Sequence, residues 1–371
     1  MEVGQKMLHS VLTAPNLTLE KIAMKKTLIA LAVLATSGAA MAQSTFTLYG
    51  IADASVEHIK GNGSINRLTS GGLQGSRFGL RGSEDLGGGL KGVFQIENGF
   101  NIDNGTQAQG GRLFGRQAYL GLEGSFGTVR LGRQYSSIGN VADMVGTKGY
   151  DVLAVTKTLS GGNNGGALTD VYRVDNAATY RTPSMAGFTA EAQYSLATNL
   201  TESASKDGRA FSFNGIYANG PIRAALGYIA LDDVNALVVG NQKRSELLVV
   251  AGYNFGVTNL TGYMTETEVG TAAAKAPSKM NVYGLSAAIP MGATTLTPGV
   301  AMANDVNGGQ SAAKEEAIIY TLQAKYDLSK RTSLYSHITA VDNKDGAQLG
   351  FNAPVLGGTS YGVQFGVRHS F

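Results

Sequence analysis

Four arginines are the residues best suited to chemistry in this 371-residue sequence: Arg77, Arg116, Arg133 and Arg173. A guanidinium group keeps its positive charge at any working pH and offers five hydrogen-bond donors. Arginines stacked along the wall of a water-filled space would therefore form a fixed positive strip that concentrates anions. The ordinary alternative for each of them is a solvated wall or rim residue in a loop salt bridge. The choice depends on the elements that carry the four side chains.

Side chains suited to catalysis are scarce. The sequence contains no cysteine, which excludes thiol nucleophiles, zinc–thiolate sites and disulfides. Outside a predicted leader the histidines are His58, His337 and His369, and none lies in a recognisable Ser–His–acid pattern. The glycine-rich stretch 87–92 matches a dinucleotide-binding fingerprint, but a strand and not a helix is predicted after it. We predict no enzyme, no cofactor and no metal site, and keep a histidine-dependent hydrolase as a minor alternative.

Residues 1–42 have the features of a secretory signal peptide. Two lysines precede the apolar stretch 28–35, and an Ala-Met-Ala sequence ends at Ala42. The apolar stretch is too short to span a bilayer as a helix. We therefore predict cleavage after Ala42, an over-extended start before Met24, and a single domain over residues 43–371.

The chain that remains after this cleavage is close to electrically neutral. The leader holds four of the 30 Lys and Arg residues and two of the 27 Asp and Glu residues. A protein that binds nucleic acid would carry a basic excess on one face. We therefore predict no nucleic-acid partner.

The last eleven residues alternate between two kinds of side chain. One parity consists of Tyr361, Val363, Phe365, Val367, His369 and Phe371, and the other of Gly362, Gln364, Gly366, Arg368 and Ser370. Successive side chains of a strand point to opposite faces, so this pattern predicts a strand with one apolar and one polar face. Elsewhere the apolar residues are also spread singly, and 51 Gly, 16 Tyr and 13 Phe suit many strands joined by many turns.

Short turns and long polar loops alternate along the rest of the chain. Seven turns that contain Gly, Asn or Pro predict seven hairpins, at residues 84–89, 124–127, 183–187, 218–221, 254–256, 290–292 and 327–330. A first strand over 45–53 and a last strand over 360–371 bring the predicted number to sixteen. Eight longer loops separate the hairpins, at residues 58–75, 98–115, 134–176, 198–209, 232–245, 266–279, 304–315 and 341–358. All short turns then fall at one end of the sheet and all long loops at the other, and we predict that the short turns are periplasmic and the long loops extracellular.

A sixteen-stranded antiparallel β-barrel in a membrane explains this pattern better than a soluble sandwich, in which a loop as long as 134–176 would be unusual. In an outer-membrane barrel the apolar faces meet lipid, the polar faces line water, and closure leaves no unpaired strand edge. Sixteen crossings of about 9–11 residues each fit the length. We expect the last strand to pair with the first, and Phe371 to lie in an aromatic girdle.

Several segments resemble the general diffusion porins of the Gram-negative outer membrane: FTLYGIADASV, SRFGLRGSEDLGGGLKGVFQIE, GRQAYLGLEGSFGTVRLGRQ, YRVDNAATYRTPSMAGF and the terminal GVRHSF. The resemblance covers essentially the whole mature chain. It implies a homotrimer whose third loop folds into the lumen as a constriction. It also implies a C-terminal assembly signal formed by Phe371, Tyr361 and Phe365. The implied partners are outer-membrane lipid and lipopolysaccharide, periplasmic chaperones and the barrel-assembly machinery, and small hydrophilic solutes and ions.

The resemblance also assigns the site. In such porins, arginines on the barrel wall face acidic residues on the third loop. Arg77, Arg116 and Arg173 match the basic cluster, and Asp143 matches the acidic side. We add Arg133 to the expected pore constriction.

Two positions depart from the family pattern, because Ile51 stands where a lysine is expected and Thr147 where an acidic residue is expected. The strand parity of Arg77 points it towards water. Arg116 instead shares its parity with Leu120, so its inward placement rests on the resemblance, or on a bulge or strand end.

We predict a multi-pass protein of the outer membrane that forms a water-filled channel for passive diffusion of small hydrophilic solutes and ions. One alternative is a channel specific for a single solute, such as an anion or an organic acid. A barrel enzyme or an adhesin that works through its loops is the less favoured alternative.

Overall fold

The computed structural model describes residues 45–145, 172–198, 208–232, 242–271, 278–304, 315–344, 346–351 and 355–371. The predicted leader, Thr147 and most of the long loop 134–176 lie outside the described residues.

The described chain forms one antiparallel sheet of seventeen strand segments. They are β1 (Thr45–Gly61), β2 (Gly63–Ser70), β3 (Arg77–Gly87), β4 (Leu90–Gly99), β5 (Gln117–Gly124), β6 (Gly127–Tyr135), β7 (Arg173–Arg181), β8 (Phe188–Ser195), β9 (Arg209–Asn219), β10 (Ile222–Asp232), β11 (Gln242–Asn254), β12 (Asn259–Thr271), β13 (Ser278–Met291), β14 (Thr294–Asn304), β15 (Ala317–Asp327), β16 (Thr332–Asn343) and β17 (Thr359–Ser370). Two short helices, α1 (Ala108–Gly111) and α2 (Ser137–Ala142), and a 3₁₀ turn (Asp143–Val145) lie between strands. No helix among the described residues is long and apolar enough to cross a membrane.

The sheet closes on itself. From β3 to β17 each strand pairs with the next one along the chain. The last strand then pairs with the first, from Ile51 opposite Ser370 to Lys60 opposite Tyr361. The predicted closed barrel is therefore confirmed.

The first long loop differs from the prediction, because part of residues 58–75 is strand. Gly61 pairs with Gly63 in a tight hairpin, and β2 pairs with the upper half of β1. The lower half of β1 pairs instead with β3. Two segments thus share one place in the barrel wall, and seventeen segments make sixteen positions. The alternation of apolar and polar residues did not predict this strand, because most residues of β2 are polar.

The predicted short turns all join paired strands. Gly220 and Gly292 illustrate their chemistry, because both have positive φ angles, of 56° and 62°. A side chain at either position would be strained although there is open space around it. These turns lie at one end of the barrel, and the strand ends that lead into the longer loops lie at the other.

The two faces of the wall follow the predicted alternation. Outward side chains remain exposed, for example Leu48, Leu120 and Tyr320, whereas inward side chains such as Gln193 and Gln364 are buried. Several inward tyrosines lie across a strand from a glycine, at a distance where an added methyl group would collide with the ring: Tyr49 with Gly79, Tyr263 with Gly284 and Tyr335 with Gly366. Such pairs cover the bare backbone of the glycine.

One part of the inner wall is apolar, contrary to the expectation of a uniformly polar lumen face. Ile229, Leu248 and Val282 are fully buried there, in one cluster with Ile138 and Val141 of α2. The apolar inner wall is therefore covered by a segment of the long loop and not by water.

Candidate functional site

Both described ends of the long loop are fixed to each other. The Ser136 hydroxyl caps α2 by accepting a hydrogen bond from Gly139 N, at 3.0 Å. The main-chain N–H of Ser136 donates to the carbonyl oxygen of Tyr172, at 3.1 Å. The loop therefore leaves the wall and returns to it at neighbouring points.

Polar bonds hold α2 against the inside of the barrel. The carboxylate of Glu191 on β8 is 3% exposed and accepts hydrogen bonds from Ser137 Oγ, at 3.0 Å, and Asn140 Nδ2, at 2.9 Å. The side chain of Asn214 on β9 donates to the carbonyl oxygen of Ser137, at 2.8 Å. Arg130 on β6 pairs with the other oxygen of Glu191, at 2.7 Å. Glu191 thus joins the barrel wall to the infolded loop.

Close backbone packing completes the attachment of the loop. A methyl group added at Gly227 on β10 would lie 3.0 Å from both Ile138 Cα and Val141 Cγ2. The absence of a side chain at Gly227 allows α2 to lie directly on the strand. The described first part of the third loop therefore folds into the barrel and occupies part of its cross-section.

Arg77 and Arg116 converge on the lumen side of the wall. A methyl group added at Gly75 would lie 3.3 Å from Arg116 Nη1 and 4.0 Å from Arg77 Nη2. Arg116 is 6% exposed, and its Nε donates to Glu97 Oε1 on β4, at 2.7 Å. Because β5 begins only at Gln117, strand parity does not apply to Arg116. The structure therefore places Arg116 inward, just before the alternation of β5 begins.

Tyr135 links Arg116 to Arg173. Its hydroxyl oxygen accepts one hydrogen bond from Nη2 of each arginine, both at 3.0 Å. The Arg173 guanidinium also lies over the Tyr135 ring, 4.5 Å from its centroid, and over the Tyr172 ring, at 5.2 Å. Arg77 is near enough to both arginines for their charges to act on it. Three arginines are thus brought together around one tyrosine.

Asp143 approaches this cluster through Tyr172, whose hydroxyl donates to the carboxylate. The rings of Tyr172 and Tyr135 pack edge to face, with centroids 5.2 Å apart. Burial, and then the negative charge of Asp143, raise the pKa of the Tyr172 phenol above its ordinary value. The phenol therefore remains a donor, and its ring lies between the Asp143 carboxylate and the Arg173 guanidinium.

Arg133 belongs to an adjoining cluster. It pairs with Asp175 on β7, which is 6% exposed, and donates from Nε to the carbonyl oxygen of Gly115. Arg112 pairs with the same carboxylate, at 2.8 Å. Arg133 therefore carries a paired charge next to Arg173 and lies outside the group around Tyr135.

Sequence reasoning missed Glu97, Tyr135, Asp175 and Glu191. No single motif identified these residues, because each acts through a partner distant in sequence. One signal for the infolded loop was present, the consecutive apolar residues 247–250 on β11. A strand with apolar side chains on both faces must be covered on both faces.

The other predicted residues lie apart from the arginine cluster. Tyr361, Phe365 and Phe371 are exposed on the outer face of β17 and just beyond it. His58 bonds Asn66 and His369 bonds Thr332, both at exposed positions. His337 is buried in the inner wall, with its ring edge to face against Tyr335. The three histidines therefore do not form one site.

A closed membrane barrel with an infolded third loop and arginines on its inner wall defines a channel of the porin class. The chain belongs to the Gram-negative porin family, whose family model matches residues 27–346.

Comparison with individual proteins agrees with this assignment. The chain is 36% identical to outer membrane porin protein 32 of Delftia acidovorans, over 94% of this chain and all of that protein. It is 30% identical to the major outer membrane protein P.IB of Neisseria meningitidis serogroup A, with the same coverage. A solved structure of an anion-selective porin from Comamonas acidovorans superposes with a TM-score of 0.76 at 31% identity, covering 89% of this chain and all of that one.

The protein is therefore an outer-membrane porin, a multi-pass barrel that forms a channel for passive diffusion of small hydrophilic solutes. Its family consists of channels and not of enzymes, which agrees with the prediction from sequence.

Proposed function

We propose that the channel is narrowest where α2 faces Arg77, Arg116 and Arg173, and that this constriction favours anions over cations. In this proposal α2 occupies the lumen at the height of the arginines, so a solute that crosses the barrel passes between α2 and the arginines. Arg133 contributes from the adjoining cluster, and Asp143 is the acidic residue on the loop side.

The charge balance carries the proposal. Five guanidinium groups, including that of Arg112, face three carboxylates among the described residues: Glu97, Asp143 and Asp175. Within that part of the chain neither Arg77 nor Arg173 forms an ion pair: Arg77 donates to the main-chain oxygen of Gly75, and Arg173 contacts Tyr135. Fixed positive charge without a counter-charge raises the local concentration of anions.

The relative from Comamonas acidovorans supports this direction of selectivity, because it is described as anion-selective. The family lysine is replaced here by Ile51, directly opposite Arg77, which removes one positive charge. We expect a preference for anions that is carried mainly by the three arginines around Tyr135.

The test is the reversal potential of the purified protein in a planar bilayer under a KCl gradient. The wild-type potential should indicate preference for chloride, and Arg77→Gln with Arg173→Gln should move it towards zero. Arg223→Gln is the matched control, because Arg223 is exposed on the far wall near the short turns. A wild-type potential at zero, or an unchanged potential in the double variant, would refute the proposal.

We also propose that three copies assemble, and that Tyr361, Phe365 and Phe371 are read as an assembly signal by periplasmic chaperones and the barrel-assembly machinery. Their exposure on the outer face of the last strand supports recognition before closure. Processing after Ala42 and binding of lipopolysaccharide belong to the same proposal. Cross-linking in isolated outer membranes should give a trimer, and N-terminal sequencing should begin at Gln43.

A further inference from the structure

Residues 71–76 connect β2 to β3 and lie on the inner side of the barrel wall. A methyl group added at Gly72 would lie 2.4 Å from the hydroxyl oxygen of Tyr335 and 2.6 Å from Oε1 of Gln364, and both of these side chains point inward. The Leu73 side chain is buried as well. We call this segment the inner turn. It covers part of the inner faces of β16 and β17.

The carboxylate of Asp53 on β1 holds the inner turn. Asp53 is fully buried, and its Oδ2 accepts hydrogen bonds from the main-chain N–H groups of Leu73, at 3.0 Å, and Gln74, at 2.6 Å. Its Oδ1 accepts a hydrogen bond from the Tyr335 hydroxyl group on β16. Hydrogen bonds to an ionised carboxylate are about twice as strong as those between neutral groups. One side chain thus fixes the middle of the turn.

The two ends of the inner turn are bonded to the same residue of β1. Ser76 Oγ accepts a hydrogen bond from Asp53 N and donates one to Asp53 O, both at 3.1 Å. Gly71 N donates to the same carbonyl oxygen, at 2.9 Å. On the side of β17, Arg368 Nε donates to Gln74 Oε1, at 2.6 Å. Asp53 therefore determines the path of the whole turn.

Arg77 directly follows the inner turn and depends on it for its orientation. Arg77 Nε donates to the carbonyl oxygen of Gly75, at 2.8 Å. Because Arg77 forms no ion pair within the described part of the chain, no carboxylate there fixes its guanidinium group. Gly75 also lies against Arg116, whose Nη1 would be 3.3 Å from a methyl group at Gly75. The position of Gly75 therefore sets where the Arg77 guanidinium group lies beside Arg116.

The position of a fixed charge decides its effect on passing ions. The field of a charge is screened over about 8 Å at physiological salt, so a guanidinium group that moves away from the path of the solute attracts fewer anions. An arginine whose rotamer is not held by its neighbours spends part of its time away from that path. The bonds that hold Arg77 therefore affect selectivity although they add no positive charge.

We propose that Asp53 is a positioning residue for the anion preference: through the inner turn it holds Gly75, and hence the Arg77 guanidinium group, in place at the lumen. The inference rests on the proposed anion preference and adds to it a residue that is itself buried away from the solute. The carboxylate acts here as a hydrogen-bond acceptor. Its negative charge works against the preference that its hydrogen bonds maintain.

Asp53→Ala tests the inference in a planar bilayer under a KCl gradient. The reversal potential should move towards zero, in the same direction as in Arg77→Gln. Loss of a negative charge alone would move it towards the chloride potential, so that result, or an unchanged potential, would overturn the inference. In an Arg77→Gln background, Asp53→Ala should give no further movement towards zero, because the group that it positions is absent. Equal movement in the two backgrounds would also overturn it.

Two further variants separate hydrogen bonding from charge. Asp53→Asn keeps an acceptor oxygen for the N–H groups of the turn but carries no charge. It should retain the preference for anions, and a fall equal to that of Asp53→Ala would count against the inference. Ser76→Ala loosens one end of the turn without any change of charge and should move the potential towards zero by a smaller amount. It decides the question if Asp53→Ala does not insert into the membrane.

Hydrogen exchange of the detergent-solubilised protein reports on the inner turn independently of selectivity. In the wild type the amide hydrogens of Leu73 and Gln74 should be protected. Asp53→Ala should accelerate their exchange by about tenfold to a hundredfold, the factor expected for loss of a hydrogen bond to a charged group. Asp53→Asn should retain most of the protection.

Asp85→Ala is the matched control. Asp85 also accepts a hydrogen bond from a main-chain N–H group, that of Gly87 at 2.9 Å, but in an exposed turn at the other end of the barrel. This variant should change neither the exchange of the two amides nor the reversal potential. Unprotected amides in the wild type would overturn the inference and leave the anion preference standing. A wild-type potential at zero with protected amides would instead refute the anion preference, so the two failures are distinguishable.

Discussion

Gly50 and Phe371 exchange two main-chain hydrogen bonds, from Gly50 N to Phe371 O at 3.0 Å and from Phe371 N to Gly50 O at 3.1 Å. The ring of Phe371 also lies over Gly50, because a methyl group added there would be 2.2 Å from Phe371 Cζ. The chain therefore ends on an aromatic residue that covers bare backbone at the seam between the first and last strands. Removing water and lipid from this seam protects the hydrogen bonds that close the barrel.

Gly50→Val should disturb this seam. The new side chain would displace the Phe371 ring, and we expect a loss of about 1–3 kcal/mol in the free energy of unfolding, as for other overpacked positions. Urea unfolding in detergent micelles measures it. Gly92→Val is the control, because a methyl group at Gly92 meets only Leu86 Cδ1, at 3.8 Å.

A double-mutant cycle separates the ring contact from other effects at the seam. In a Phe371→Ala background, Gly50→Val should cost much less than in the wild type, since the ring is no longer there to be displaced. Equal costs in the two backgrounds would show that the contact with Phe371 is not the cause.

Gly227→Val should narrow the channel. A side chain at Gly227 would collide with Ile138 and Val141, and the collision is relieved if α2 moves away from the wall and into the lumen. We expect a lower single-channel conductance with the barrel still folded. Gly262→Val serves as control, because the nearest atom to its added methyl group is Leu285 Cδ1, at 3.7 Å. A conductance equal to that of the wild type would show that α2 does not limit the current.

The barrel was predictable from sequence because the alternation of apolar and polar side chains depends only on neighbouring residues of one strand. Alternation placed Phe365 outward and Gln364 inward, and the structure confirms both. The same rule failed at residues 247–250, where the infolded loop covers the inner face. It also could not apply to Arg116, which precedes its strand.

The partners of the arginines were less predictable, because they are set by register between distant segments. Glu97 reaches Arg116 only because β4 and β5 pair at that height, and Asp175 reaches Arg133 across a register shift between β6 and β7. Arg112, which follows α1, reaches the same carboxylate from outside both strands. Sequence spacing carries no information about such contacts. The sequence identified the charged residues of the site. It did not predict which of them form ion pairs, and these pairs decide the net charge of the site.

Ile51→Lys should strengthen the preference for anions. Ile51 lies on β1 directly opposite Arg77, with the same inward parity, so a lysine there would add a positive charge beside the arginine cluster. The lumen is hydrated, so the ammonium group stays solvated and the repulsion from Arg77 costs only about 0.2–1 kcal/mol. The reversal potential in a KCl gradient should move further towards that of chloride. Ile51→Gln adds bulk and polarity without charge and should leave the potential near the wild-type value; an equal effect of both variants would argue against a charge effect.

The preference for anions should be constant between about pH 6 and about pH 9, because the groups that set it do not change charge in that range. Arginine stays protonated, and no histidine lies in the cluster around Tyr135. Tyr172 is the phenol beside Asp143 that could add a negative charge as the pH rises. Burial and the neighbouring charge of Asp143 raise the pKa of its phenol, so ionisation is moved to higher pH and the hydroxyl still donates to Asp143 at pH 9.

Reversal potentials recorded across this range test the argument. A fall in anion preference as the pH approaches 9 would show that a phenol in the site ionises, contrary to the expected direction of the pKa shift. Tyr172→Phe then identifies the group, because it removes the ionisable hydroxyl and keeps the ring that packs against Tyr135 and Arg173. If the fall disappears in this variant, Tyr172 titrates within the working range, and the positive field of the arginines dominates burial at this position.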